Sequence, residues 1–354
     1  MKKTLLALAV AAVATSASAA TVYNQDGTTV DVGGRFDVVL GKFGDDQRTD
    51  LRNNESRINI KAQHDLGDGY KVSAYTRLRF DNGEVFTSDD DASRTNTFDN
   101  PTTNKLWLAL EKDGFGRVSF GRQNTSGDDV QLNDNAYFLG GNNNLLTGGK
   151  KVVAFRSADF QLAEGQTLGF GVDYAFGESA KNTTSENLKN GYGASLFYAA
   201  NLDGVALNLN AGYTVKNNDN ADQYSNATGE QAKAWRVASQ LGFADVKFGA
   251  EYGETRNKNA DANTSKEHFV LVGASYQVLP ESKLFAQWQR KSEKEQDGAK
   301  FLQNVYLVGA DYAFTKNVVT YIQYGRVSDR DTDAQGVVTK SKDNVYGAGL
   351  RVYF

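Results

Sequence analysis

Apolar and polar residues alternate along this chain almost from one end to the other, a period that fits β-strands with one apolar and one polar face. In VDVGGRFDVVL, Val30, Val32, Gly34, Phe36, Val38 and Leu40 share one face, while Asp31, Gly33, Arg35, Asp37 and Val39 share the other. SRINIKAQ and YKVSAYTRLRF repeat the pattern, setting Arg57, Lys61, Arg77 and Arg79 against Ile58, Ile60, Leu78 and Phe80. Sixteen such segments run to the terminal YGAGLRVYF, and no stretch of comparable length has a helical period.

The connections alternate too. LGDG, KDG, NLDG, AD and TKN are tight-turn chemistry. Between them lie long polar inserts, among them 81–102, 123–149 and 216–231. Short connections on one rim and long ones on the other describe an up-and-down antiparallel meander.

Cations at mid-strand decide what such a meander can enclose. Arg35, Arg57, Arg77, Arg79 and Lys105 cannot be packed into a dry sandwich core, so their face meets water, either outside a soluble sheet or inside a barrel. The start of the chain favours the barrel. MKKTLLALAVAAVATSASAA has a basic start, a short apolar run and small residues, the pattern of a secretory leader, with cleavage expected after Ala19. Its removal leaves one domain, 20–354, with 37 basic and 43 acidic residues, so the formal charge moves from −4 to about −6 and no nucleic-acid partner is expected. Cysteine is absent, which excludes disulfides and thiol chemistry. In lipid only a closed barrel pairs every backbone group. The expected fold is therefore all-β: a transmembrane, antiparallel, 16-stranded up-and-down β-barrel.

Three motifs in order then carry a family likeness. ATVYNQDGTTVDVGGRFD resembles the opening of the general diffusion porins of the Gram-negative outer membrane, NVYLVGADYAFTKNVVTYIQYGRV resembles a late strand pair of theirs, and LRVYF resembles their closing strand. The resemblance implies homotrimers in the outer membrane and a third outer loop folded inward as a constriction. It places that loop at 123–149, with Asp128, Asp129 and Asp134 as its acidic residues and Phe138, Gly140 and Gly141 at its tip. Phe138 stands where the family has a carboxylate. On the facing wall it implies a basic cluster of Arg35, Arg57 and Lys105, with Lys150 or Lys151 as a further member; parity alone adds Arg77 and Arg79. It also makes Phe354 the address read by the outer-membrane β-barrel assembly machinery, and lipopolysaccharide a neighbour.

The function expected is passive diffusion of small hydrophilic solutes and ions through a water-filled, charge-tuned channel that favours cations less than usual. The alternatives are a solute-specific channel, for which Tyr75, Trp107 and Tyr353 supply inward aromatics, and a barrel enzyme. His64 and His268 lie far apart and outside any catalytic motif, so no catalytic residue is assigned. DRDTDAQG has Ala334 and Lys340 where a calcium loop needs glycine and glutamate, so neither metal nor cofactor is expected.

Overall fold

The structure, a computed structural model, describes residues 19–80, 98, 100–177, 188–218, 230–258 and 263–354. The expected leader, apart from Ala19, and parts of four of the long outer inserts lie outside the described residues.

In chain order the strands are β1 (Ala20–Gln25), β2 (Thr28–Phe43), β3 (Asp50–Asn53), β4 (Arg57–Gly67), β5 (Tyr70–Arg79), β6 (Thr102–Lys112), β7 (Gly116–Asn124), β8 (Gly148–Ser157), β9 (Phe160–Ala163) and β10 (Gln166–Phe176). They continue as β11 (Leu188–Leu202), β12 (Val205–Asn218), β13 (Gln231–Phe243), β14 (Val246–Lys258), β15 (Thr264–Leu279), β16 (Ser282–Glu295), β17 (Lys300–Thr315), β18 (Val318–Thr332) and β19 (Val338–Tyr353). Every pairing is antiparallel, and the sheet closes on itself as sixteen staves. Three staves are composite. β3 and β4 share one side of β2, β8 and β9 share one side of β10, and β19 and β1 lie end to end against the other side of β2.

Each of the sixteen alternating segments lies in one stave; the short hairpin strand β1 was not among them. Turn chemistry explains the register. Asp26-Gly27, Asp68-Gly69 and Asp203-Gly204 all take positive φ at both positions, the twist that lets a two-residue turn follow twisted strands.

Alternation then sorts the two faces. Phe36, Leu106 and Ile322 stand outward with 55–59% of their surface exposed, an apolar wall that only lipid can cover. Neighbours of opposite parity, such as Arg35 and Asp37 beside Phe36 and Gln323 beside Ile322, are buried in the lumen. Apolar packing inside the barrel occurs where loop meets wall: Phe138 and Leu139 against Val39, Phe43, Tyr321 and Val345, and Val130 and Leu145 against Phe197 and Ala234.

Candidate functional site: a constriction between a stitched loop and a cationic wall

The segment between β7 and β8 leaves the rim and crosses the lumen, and inward polar side chains from alternate staves hold its backbone. Asp173 on β10 accepts from Ser126 N (2.8 Å), and Asn210 on β12 donates to Asp129 O (2.9 Å). Glu251 Oε1 on β14 accepts from Leu132 N and Asn133 N, both at 2.7 Å. Gln287 on β16 accepts from Asn135 N (2.7 Å) and Gln323 on β18 from Tyr137 N (2.8 Å), while the Gln323 amide also donates to Phe138 O. A loop inside a barrel cannot leave its amides unpaired, and five staves supply the partners. Glycines make room for it: a Cβ at Gly325 would overlap Leu139, and one at Gly249 would overlap Asn133.

One clamp is ionic. Arg236 on β13, fully buried, binds Glu251 Oε2 at 2.6 Å and donates to both oxygens of Asn142 at 3.1 Å. The tip is anchored by stacking. Tyr137 lies 4.0 Å from the Tyr321 ring, centroid to centroid, and donates to Asp311 at 2.8 Å. Arg351 covers the Tyr137 ring at 4.7 Å and is held in turn by Asp37 at 2.6 Å.

Across from the loop, Arg35, Arg57 and Arg79 are direct partners on three adjacent staves. Like charges so placed repel. Glu55, in the break between β3 and β4, holds all three: Arg35 at 2.5 Å, Arg57 at 3.4 Å and Arg79 at 3.4 Å. Its left-handed φ of 62° turns the carboxylate into their midst. Beside them Arg77 donates to Asn59 at 2.8 Å, and Lys105 is its cross-strand partner.

The expected site residues thus divide. Arg35, Arg79, Asp128, Asp134, Gly140 and Gly141 line one passage of about 560 Å³ together with Glu55 and Arg351. Arg77, Lys105 and Asp129 line a second space of about 270 Å³ with Arg117 and Arg156. Asp134 borders the passage while accepting from Ala136 N (3.1 Å) and Gly141 N (2.7 Å), so it also ties the tip together. Phe138 borders the same passage with most of its ring buried against Phe43 and the wall. The left-handed residue of the tip is Leu139, with φ 66°, not either glycine. Lys150 and Lys151 are exposed at the start of β8 and line neither space. Their expected place is taken by Arg156, the cross-strand partner of Arg117.

Sequence reasoning missed Arg117, Arg156 and Glu55 as site residues. The first two carried a readable signal, inward parity in GRVSFGR and VVAFRS, whereas Glu55 sits in an aperiodic insert. The second space has a stacked floor, Tyr75 and Trp107 at 5.2 Å. Arg77 covers the Tyr75 ring at 5.7 Å and Arg117 the Trp107 ring at 5.3 Å, so cations occupy the outer ring faces that a sugar track would need.

The loop carboxylates titrate in a tight place. Burial beside Asp129 pushes the Asp128 carboxyl up to about 6, although Lys105 draws it down and Asn124 donates to it. Lowering the pH from 7.5 to 5 therefore removes a negative charge from the loop. The cation-to-anion permeability ratio should fall over that interval, and Asp128→Asn should flatten the response. Reversal potentials at both pH values check this, and an unchanged wild-type ratio would count against Asp128 as a pore charge.

Comparison with known proteins fits the geometry. A model of the Gram-negative porin family matches residues 5–332. Over 368 residues, covering all of both chains, the sequence is 38% identical to the major outer membrane protein of Pasteurella multocida strain Pm70. In vitro folded OmpT, an outer membrane protein of Vibrio cholerae, superposes with a TM-score of 0.71 at 19% identity, over 94% of this chain and 99% of that one. An anion-selective porin from Comamonas acidovorans gives 0.70 at 16% identity, over 92% of this chain and 100% of that one.

Proposed function

The chain belongs to the Gram-negative porin family and forms an outer-membrane channel, and from that premise we propose a homotrimer that passes small hydrophilic solutes and ions by passive diffusion, with the sign of its preference set by the cationic wall. The observation that carries this is the asymmetry of the constriction. Arg35, Arg57, Arg77, Arg79, Lys105, Arg117, Arg156 and Arg351 form the cationic side. Two of the carboxylates near them are spent on structure: Asp37 on Arg351 and Tyr321, and Asp173 on Ser126. Fixed charges facing each other across a narrow, low-dielectric opening orient water and dipolar solutes, and an excess of one sign favours the opposite ion.

No catalytic step is part of this proposal. His64 bonds Thr28 at 2.7 Å and His268 bonds Tyr252 at 2.6 Å, two separate places on the outer wall. Cleavage after Ala19 is supported by the start of β1 at Ala20, which pairs with Val32 on β2 just beyond the C-terminal Phe354. The trimer is supported by the trimer form of Vibrio cholerae OmpT.

Planar-bilayer recording tests the whole reading. Insertion should give three equal conductance steps, and the reversal potential in a salt gradient should be near zero or anion-favouring. Strong cation selectivity would overturn the charge argument, and an absence of steps the channel itself.

A further inference from the structure

Three guanidiniums converge at the break between β3 and β4, and the carboxylate among them stands at the front. Arg35, Arg57 and Arg79 keep 11%, 14% and 23% of their side-chain surface, whereas Glu55 keeps 39% and borders the passage. Both of its oxygens are engaged: Oε2 takes Arg35 at 2.5 Å and Arg57 at 3.4 Å, and Oε1 takes Arg79 at 3.4 Å. Arg35 Nε also donates to the Glu55 carbonyl at 3.3 Å. A solute in the passage therefore meets the carboxylate before most of the cationic surface behind it.

The backbone gives Glu55 little freedom to leave. On one side Asn54 N donates to Asp37 O (2.8 Å) and Asn54 Nδ2 to Tyr137 O (2.9 Å). On the other, Ser56 N donates to Asn53 Oδ1 (3.0 Å) and Ser56 O accepts from Phe80 N (3.0 Å). Both neighbours are buried, so the left-handed φ of 62° between them is imposed by the surroundings. One short break thus pins the loop tip through Asn54 and the arginines through Glu55.

Three convergent guanidiniums make a strong oxyanion site when nothing fills them, because each offers a fork of N–H donors. A site that holds its ion tightly stops conducting, since permeation needs contacts that release quickly. We propose that Glu55 is a specificity-determining residue of the passage: a tethered anion that fills the three-arginine site, so that passing anions are drawn to the wall without being trapped on it. A carboxylate fixed in place is present at high effective concentration, and a dissolved anion competes with it poorly. The inference deepens the porin reading and rests on it. To the cationic wall it adds the group that sets how much of that charge a solute meets.

The test records the purified full-length channel in planar bilayers, with a potassium chloride gradient for selectivity and inorganic pyrophosphate as the probe for trapping. In Glu55→Gln the blocking concentration of pyrophosphate should fall at least ~10-fold below that of wild type, and the chloride-to-potassium permeability ratio should rise ~3-fold or more. Glu55→Asn, which tolerates a left-handed backbone, should do the same. Both variants leave three arginines facing one another, so the substitution is repeated on Arg79→Gln, and that pair decides if the single variants do not insert. Arg79→Gln alone should shift preference toward cations. Arg79→Gln with Glu55→Gln should bring the ratio back near wild type, because two cations without the carboxylate carry the same net charge as three with it. Equal block and equal ratios in wild type and Glu55→Gln, or no difference between the Arg79→Gln channels with and without Glu55, would overturn the proposal. Absent conductance steps in wild type would instead overturn the channel reading.

Discussion

The Glu251→Ala variant is expected to conduct more, and more noisily, than the wild type. Glu251 carries two jobs on two oxygens: one accepts the Leu132 and Asn133 amides and the other neutralises Arg236. Removing it strands a fully buried guanidinium and two loop N–H groups at once. Breaking a buried ion pair from one side costs about 3–5 kcal/mol, mostly the penalty of the charge left behind. The loop can escape that penalty only by leaving the wall, which widens the opening. Glu251→Gln keeps the amide acceptors but not the charge and should fall between. The double variant Arg236→Met, Glu251→Leu removes the stranded charge and should be milder than Glu251→Ala. Single-channel traces and protease sensitivity of the loop check the order; a quiet Glu251→Ala pore of normal conductance would show that the clamp does not hold the constriction.

The second large effect concerns the seam. Gly34 exchanges backbone hydrogen bonds with Phe354, 2.8 Å from Gly34 N and 3.2 Å back, and the terminal ring stacks on Phe36 at 5.3 Å. A Cβ at Gly34 would overlap the Arg57 carbonyl and lie 2.7 Å from the Phe354 ring. Gly34→Val should therefore prevent closure of the barrel, at a cost of about 3 kcal/mol or more from overpacking against backbone. Deleting Phe354 should lower the amount inserted far more than the conductance of molecules that do insert, because the residue faces lipid and not the lumen. We propose that it is also the address read by the assembly machinery. Heat-modifiable gel mobility and outer-membrane yield measure both. Normal yield of Gly34→Val would mean that the seam closes elsewhere.

Much of the constriction could be read from the chain, and the unread part has a pattern. Parity brought Arg35, Arg57, Arg77, Arg79 and Lys105 to the lumen, since a residue cannot change face without shifting its whole strand. Lys150 and Lys151 fall in a register shift between the pairs Gly121–Val152 and Gln123–Gly149 and stay exposed, while Arg156, on the regular part of the strand, lines the space beside Asp129. Parity tells face only where the ladder is regular. The acidic side went the same way. Asp134, expected as a constriction carboxylate, borders the passage and also spends two hydrogen bonds on its own loop, whereas Glu55, in an insert without period, commands three arginines.

The sequence by itself determined the staves, their turns and the two faces, because each rests on local chemistry: a period of two, Asp-Gly pairs at positive φ, and apolar side chains that need lipid. Only the tertiary structure decided which groups meet. Asn133 finds Glu251 118 residues away, Tyr137 finds Gln323 at a separation of 186, and Asp37 finds Arg351 at 314. Those meetings depend on the stagger with which sixteen strands close. Stagger is a property of the ring and not of any strand in it.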